Sequence, residues 1–198
     1  MSLLLRLTVT LLTLSSSVAI AQEDAGPFGL TWLASSEDVV ALGATLVPMD
    51  LESFGQSYIA TNLPKALSDI EAVVLSFGYD NTLWRVAALS SEFENDRYGS
   101  QAKARYEQLS ASLSKSYSLT DTYEVTSTDN YFMDAEKFAY ALSKDETFWY
   151  SIFESDVAEI ELSIDANYED TFWRLIYTHN QGKAAFNSGK ADAEVDAL

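Results

Sequence analysis

Residues 75–86 read LSFGYDNTLWRV, and residues 162–175 read LSIDANYEDTFWRL. Both segments contain a Leu-Ser pair, then a tyrosine with Asp, Asn or Thr neighbours, then Trp-Arg. The Leu-Ser pairs lie 87 positions apart (162 minus 75) and the Trp-Arg pairs 89 (173 minus 84), so the second turn is two residues longer. This pattern predicts a strand–turn–strand unit that occurs twice, and therefore an internal repeat.

Alternating apolar and polar residues predict further strands around both turns. The predicted strands are residues 57–63, 71–79, 83–90, 122–127, 147–154, 157–166 and 171–179. The alternation is clearest in 157–166, where Ile160, Leu162 and Ile164 are separated by acidic and polar residues. Side chains two apart point to the same face of a strand, so this pattern indicates a sheet with one buried and one solvated face, as in antiparallel sheets.

Three helices are predicted between these strands. Ser35 and Asp38 have the spacing of a capping box before a short apolar helix that stops at Gly43. A longer helix at 100–117 has one apolar stripe, which indicates that it lies across a sheet. The stripe consists of Ala102, Tyr106, Leu109, Leu113 and Tyr117. A third helix is predicted at 134–143.

Runs of adjacent strands favour an α+β fold with antiparallel sheets. We expect two duplicated helix-plus-antiparallel-sheet halves, each a helix followed by three strands, with an additional helix between them. The sequence leaves open whether the halves share one sheet. The expected organisation is a first α+β repeat at 22–97, a connecting amphipathic helix and strand at 98–127, a second α+β repeat at 128–181 and a flexible acidic tail at 182–198.

The N-terminal segment has the pattern of a secretory signal peptide. Arg6 precedes an apolar run that is too short to span a bilayer, and Ala19-Ile20-Ala21 matches an A-x-A cleavage site. We expect cleavage after Ala21 and a periplasmic or secreted location. The chain has no cysteine, which excludes disulfides, thiolate metal sites, thiol nucleophiles and a lipid anchor on cysteine.

The protein is strongly acidic, with 12 Lys and Arg against 30 Asp and Glu. Arg6 is the one charged residue in 1–21, so removing that segment leaves 11 basic and 30 acidic residues, a formal charge of −19. Such a surface repels nucleic acid and attracts cationic partners, although high charge also serves solubility alone. The expected partner is therefore a protein, basic in charge, and not nucleic acid.

The segment Phe28-Gly29-Leu30-Thr31-Trp32, followed by Ser35, Glu37-Asp38-Val39 and Leu42, resembles the aromatic-Gly opening of a known group of exported bacterial domains. These are the β-lactamase-inhibitor-protein and outer-membrane-assembly-lipoprotein type of fold, in which a helix precedes an antiparallel sheet. The resemblance implies protein–protein binding in the bacterial envelope without catalysis. It implies no particular site residue.

The repeated Trp-Arg pairs are the first candidate binding residues, because Trp and Arg are enriched at interface hot spots. Arg85 and Arg174 mark equivalent points of the two repeats, and Trp84 and Trp173 are either core anchors or part of a binding surface. The acidic bend at 92–97 adds a second candidate group. Its acidic members are Glu92, Glu94 and Asp96.

The sequence offers little for catalysis. His179 is the one histidine of the chain, at a predicted strand end, and we expect it to be a surface or strand-end residue without a nucleophile beside it. No HExxH zinc motif, Gly-x-Ser-x-Gly elbow or phosphate-binding loop occurs. We therefore expect a non-enzyme without a metal or cofactor.

The expected function is an exported protein-binding module, for example an inhibitor of, or immunity factor for, a basic secreted enzyme. The alternative is a carbohydrate-binding or carbohydrate-active envelope protein. It would use carboxylate pairs together with the aromatic residues of strand 147–154, which are Phe148, Trp149, Tyr150 and Phe153. A structural envelope factor without a dissociable ligand is a third possibility.

Overall fold

A computed structural model describes residues 25–50 and 53–196. This part of the chain is a mixed α+β structure with four α-helices and one eight-stranded antiparallel sheet. The helices are α1 (Ser36–Ala41), α2 (Ser100–Leu113), α3 (Phe138–Leu142) and α4 (Asn180–Asp196). The strands are β1 (Thr45–Met49), β2 (Gln56–Thr61), β3 (Ile70–Phe77), β4 (Leu83–Ser90), β5 (Ser118–Val125), β6 (Phe148–Glu154), β7 (Ala158–Asn167) and β8 (Asp170–His179). Short 3₁₀ turns lie at Pro27–Gly29 and Ala135–Lys137.

One continuous sheet contains both halves of the chain, which answers the question that the sequence left open. The strand order is β1-β2-β3-β4-β8-β7-β6-β5, so each half contributes four consecutive strands. The halves meet where β4 pairs with β8, from Arg85 opposite Thr178 to Leu89 opposite Arg174. The prediction that residues 83–90 form a strand is confirmed, and the strand is central in the sheet.

The core lies on one face of this sheet. Strands β7 and β8 send alternate side chains into it, including Ile160, Leu162 and Trp173. Helix α2 covers this face with the predicted stripe, and the Tyr106 hydroxyl lies 2.6 Å from the Ser151 hydroxyl of β6. Helix α3 also packs against β7. We call this side of the sheet the covered face.

Local sequence signals explain how the first helix and the β3–β4 turn form. The Ser35 hydroxyl accepts a hydrogen bond from the Asp38 backbone N–H, and the Asp38 carboxylate accepts one from the Ser35 N–H, so the predicted capping box is present. In the turn, Asn81 has a φ of +57°, a conformation that Asn tolerates better than most residues. Both signals operate within a few residues, which is why the sequence shows them.

Seven strands were predicted and eight are present in the described residues, and each half has four strands in the sheet rather than the expected three. Strand β1 was missed because its alternation is poor and Pro48 has no N–H to donate, a residue that sheets tolerate mainly at an edge. Strand β5 was assigned to a connector, but it pairs with β6 and forms the opposite edge of the sheet. The helix predicted at 134–143 is a 3₁₀ turn followed by the five-residue α3.

The prediction of a flexible tail from residue 182 was also wrong. Residues 180–196 form α4, whose Phe186 ring is buried and stacks on Trp84 with centroids 4.7 Å apart. The helix has small and polar residues in most positions, so its apolar contact is one aromatic side chain that the local pattern does not emphasise. The predicted signal peptide at 1–21 lies outside the described residues.

Candidate functional site

We call the second face of the sheet the open face; helices α2 and α3 pack on the covered face, and α4 contacts the central strands β4 and β8. On β8, buried Trp173, Leu175 and Tyr177 alternate with half-buried residues that point to this face. Its apolar side chains include Val47, Ile59, Val74, Tyr123, Phe148, Tyr150, Ile152 and Ile176. Helix α4 borders the open face, where the Lys183 ammonium lies 3.8 Å from Glu159. Large exposed apolar areas on such a surface are typical of binding sites.

Arg174 lies near the centre of the open face and holds two carboxylates. Its guanidinium nitrogens lie 3.3 Å from Glu161 and 3.3 Å from Asp165, both on the neighbouring strand β7. Ser163 lies directly opposite Arg174, so the two acids are its diagonal neighbours, which a long side chain can reach. The Arg174 Nε is buried without a partner among the described residues.

Arg85 lies on the adjacent strand β4 and points to the same face. Its guanidinium carbon is 4.1 Å from the centre of the Phe54 ring, a cation–π geometry. Burial lowers the pKa of Arg85, repulsion from Arg174 lowers it further, and attraction to Glu161 partly offsets both. No described residue forms an ion pair with Arg85. The structure thus brings the two predicted arginines onto one surface.

The two predicted tryptophans are both buried, in different environments. Trp173 is enclosed in the core, and its indole N–H donates to Asp69 at 2.9 Å. Trp84 lies outside the main core cluster, under Phe186, and its indole N–H donates to the Phe54 carbonyl at 3.2 Å. Both tryptophans therefore anchor packing, and the arginine beside each of them is the partly exposed member of the pair.

The acidic bend divides into exposed and structural residues. Glu92 and Glu94 are exposed, and Glu92 accepts a hydrogen bond from Asn167 at 3.3 Å. Asp96 is buried, and its carboxylate accepts hydrogen bonds from the N–H groups of Gln101 and Ala102 in the first turn of α2. The Thr171 hydroxyl donates to the same carboxylate at 2.8 Å. Asp96 therefore caps a helix and joins it to β8, and we leave it out of the candidate surface.

A stacked pair of tyrosines adds to the open face. On the open face, Tyr123 of β5 stacks on Tyr150 of β6 with centroids 4.6 Å apart, beside the exposed Phe148. The aromatic strand predicted at 147–154 is thus divided between the faces, because Trp149 packs against the core. Tyr123 was missed as a site residue, although its position in the weak strand at 122–127 was a usable signal.

A pocket of about 620 Å³ lies at the end of the sheet where β7 turns into β8. Its lining includes three tyrosines (Tyr131, Tyr140 and Tyr168) and four carboxylates (Asp134, Glu136, Glu169 and Asp170). Arg97 lies 2.8 Å from Glu169 and 3.5 Å from Glu136, so it joins the turn to the segment before α3. We call this the tyrosine pocket.

His179 is at a strand end, as predicted, but it is buried rather than on the surface. Its Nδ1 accepts a hydrogen bond from the Gly182 backbone N–H at 3.0 Å, the three-residue relation of a helix N-cap. The imidazole also packs against Trp32, with ring centroids 5.3 Å apart. Its place at the junction of β8 and α4 makes it a structural residue of the tail helix.

Within residues 25–50 and 53–196, no group of three or more His, Asp or Glu side chains is arranged to hold a metal ion. Across the same residues, no helix combines the length and the apolar character needed to cross a membrane. Comparison of the chain with protein-family models, curated proteins and solved structures finds no match.

Proposed function

We propose that this chain is an exported, non-catalytic binding module of the bacterial envelope whose open face binds another protein. The proposed partner is basic, such as a secreted enzyme or effector that the module inhibits. The proposed location, periplasmic or secreted, rests on the signal-peptide pattern of residues 1–21. The resemblance to the β-lactamase-inhibitor type of domain supports the same function.

The observation that carries this proposal is the composition of the open face. Aromatic and aliphatic side chains from strands at both ends of the sheet lie on it, with Ile59 38% and Phe148 46% exposed. Between them lies the charged centre formed by Arg174, Glu161 and Asp165. Aromatic side chains and arginine are both enriched at protein interfaces, and the open face presents both.

The charge of the chain supports a basic partner. The formal net charge is −18, and the acidic bend and β7 contribute exposed or half-exposed carboxylates near both ends of the sheet. An acidic surface accelerates encounter with a basic protein, and the effect weakens as salt screens it. Binding through this surface should therefore weaken with ionic strength.

We further propose that the two halves arose by duplication. In the β3–β4 hairpin Ser76 lies opposite Arg85, and in the β7–β8 hairpin Ser163 lies opposite Arg174. The repeated Leu-Ser and Trp-Arg pairs thus place the serine opposite the arginine in both hairpins, although the second turn is two residues longer. A duplication accounts for two arginines that project from adjacent central strands of one surface.

Affinity capture with matched charge variants tests the binding proposal. The purified protein is immobilised, exposed at low salt to periplasmic and secreted extract, and eluted with rising salt. Ile59→Lys and Phe148→Lys place a positive charge on the open face, and Val40→Lys, at a 51% exposed position of α1, is the control. A basic protein that the wild type and the control retain, and that both open-face variants lose, supports the proposal. Retention that is equal in all four proteins contradicts it.

A second candidate function, carbohydrate binding, is favoured by the tyrosine pocket. Tyrosine rings can stack on sugar rings, and carboxylates can accept hydrogen bonds from sugar hydroxyls. Titration with cell-wall glycan fragments, followed by intrinsic fluorescence, tests this function. Tyr168→Ala should abolish binding and Tyr123→Ala on the open face should leave it unchanged; no response to glycans would remove this candidate.

A further inference from the structure

A separate pocket of about 280 Å³ lies on the covered face, between α2, residues 65–67 and the 3₁₀ turn at Pro27–Gly29. Its walls are mainly apolar side chains. They include Phe28, Leu67, Leu109, Leu113 and Leu175. This volume is near the lower end of the range for small-molecule sites, and a mostly apolar wall with few polar groups is typical of such sites. We call it the leucine pocket.

Two tyrosine side chains, Tyr117 and Tyr177, supply polar groups to this pocket. Tyr177 is only 8% exposed, and no described residue forms a hydrogen bond with its hydroxyl. By contrast, the hydroxyl of Tyr106, a tyrosine of α2, lies 2.6 Å from the Ser151 hydroxyl. A tyrosine hydroxyl without a partner in the protein is free to donate a hydrogen bond to solvent or to a ligand.

The Tyr177 hydroxyl is accessible from the leucine pocket. Its oxygen is not among the fully buried polar atoms without a partner, which in the described residues are Asn81 Oδ1 and Arg174 Nε. Because the rest of the side chain is enclosed, the pocket that it lines is where this oxygen can meet another molecule. Burial raises the pKa of Tyr177, and the nearby Tyr117 raises it further. The hydroxyl therefore stays protonated at neutral pH and can donate a hydrogen bond.

The pocket lining carries a positive charge, opposite in sign to the net charge of the chain. Lys65 is the one charged residue of the lining, and the lining contains no carboxylate. In a protein with 30 acidic and 12 basic residues, this is a local surface that does not repel an anion. Donors from two tyrosines and a lysine suit an acceptor group that is negatively charged.

From these observations we propose that the leucine pocket binds a small amphiphile with an anionic head group and an aliphatic body, of the class of medium-chain carboxylates. The body packs against the leucines and Phe28. The head accepts hydrogen bonds from the hydroxyls of Tyr177 and Tyr117 and is attracted by Lys65. This site is separate from the open face and does not depend on the function proposed for that face.

Isothermal titration calorimetry with decanoate tests the proposal on the purified protein. We expect saturable binding of one decanoate per chain. Tyr177→Phe keeps the ring and removes the donor, so it should weaken binding about tenfold, in keeping with the loss of a hydrogen bond to a charged group. Lys65→Gln should weaken decanoate binding and leave binding of neutral decanol unchanged.

A blocking variant distinguishes this pocket from other apolar surfaces. Ser112 is an exposed residue of α2 that lines the pocket, so Ser112→Trp should fill its mouth without disturbing the core and should abolish binding. Ile59→Lys on the open face should bind decanoate as the wild type does. No saturable binding to the wild type, or binding that Ser112→Trp leaves intact, would overturn the proposal.

Discussion

The Trp84-Arg85 and Trp173-Arg174 pairs occupy the same place in two hairpins, yet their tryptophans have different neighbours. In each hairpin the arginine lies opposite a serine on the open face. One residue earlier the pairing differs. Trp173 lies opposite Ile164 in regular register, whereas the register of the first hairpin shifts so that Phe77 lies opposite Leu83. Trp84 is the extra residue of that β-bulge.

The bulge changes what each tryptophan does. Trp173 enters the core on the covered face and donates to Asp69, which also lies 2.7 Å from Arg105 of α2. Trp84 instead forms the platform on which α4 packs through Phe186. The comparison teaches that an identical dipeptide at an equivalent strand position can anchor a core in one hairpin and a terminal helix in the other.

The largest expected effect is that of Trp173→Ala. Removing a fully enclosed indole from the core should lower the free energy of unfolding by about 3–5 kcal/mol. Urea unfolding measures this value. Trp84→Ala is the comparison variant, and we expect a smaller global loss because Trp84 packs outside the main core cluster. Equal losses of unfolding free energy in the two variants would contradict the interpretation that Trp173 anchors the core and Trp84 anchors the terminal helix.

Phe186→Ala should affect α4 and spare the sheet. The Phe186 ring lies between Trp84, at 4.7 Å, and Tyr79, at 5.7 Å, so its loss removes the main apolar contact of the helix. We expect amide hydrogen exchange in 180–196 to accelerate about tenfold or more, with exchange in β7 and β8 unchanged. Val195→Ala, at an exposed position of the same helix, is the control. Unchanged exchange in α4 of the Phe186 variant would contradict this role.

The indole N–H of Trp173 donates to the Asp69 carboxylate, which titrates, whereas that of Trp84 donates to a backbone carbonyl, which does not. The effect of Asp69→Asn on stability should therefore depend on pH. Partial burial raises the pKa of Asp69, but hydrogen bonds from Arg105 and Trp173 outweigh it, and the pKa lies below its ordinary value. A carboxylate with a lowered folded-state pKa stabilises the protein above its unfolded-state pKa, about 3.9, and this contribution is lost as the pH falls through the folded-state pKa.

We therefore expect Asp69→Asn to lower the free energy of unfolding by about 1–2 kcal/mol at pH 7, and the difference from wild type to shrink below about pH 4. Urea unfolding at pH 7 and pH 3 measures both values. Trp84→Phe loses a hydrogen bond to a backbone carbonyl, which does not titrate, so its effect should be the same at both pH values. An Asp69→Asn effect that is the same at pH 7 and pH 3 would contradict the expectation that Trp173 donates to an ionised carboxylate.

The smallest expected effects on stability are those of substituting the two arginines. Arg174→Met leaves Glu161 and Asp165 without their cation and should cost about 1 kcal/mol, because these partly exposed ion pairs are individually weak. Arg85→Met keeps the packing on Phe54 and removes a charge that burial disfavours, so stability should change by less than about 0.5 kcal/mol. Thermal unfolding of both variants measures the difference. The reverse order would contradict the described pairing.

Much of the fold was predictable because its signals are local. The stripe of α2 follows from a period near 3.6 residues, and β7 follows from strict alternation between Ile160 and Ile164. The edge strand β1 was missed because few neighbours constrain an edge, so neither its pattern nor Pro48 marked it as a strand. Helix α4 was missed because its position depends on Phe186 packing between Trp84 and Tyr79, which belong to a hairpin distant in the chain.

The candidate site was predictable only in part. The repeat identified Arg85 and Arg174, and both project to the open face. Their partners were not predictable: Phe54, beside Arg85, is 31 residues away in the chain, and the leucine pocket is formed by segments as distant as Phe28 and Tyr177. Asp96 was expected at a binding surface, but the N-terminus of α2 and Thr171 enclose it.

The sequence by itself determined the α+β class, most strands and the residues that alternate between the two faces. These depend on periodicity and turn chemistry, which act over a few residues. Only the tertiary structure decided that β4 pairs with β8 to make one sheet, that a bulge redirects Trp84, and that residues 180–196 pack as a helix. The physical reason is that strand pairing and aromatic stacking join residues distant in the chain, and no local pattern specifies which partner each will meet.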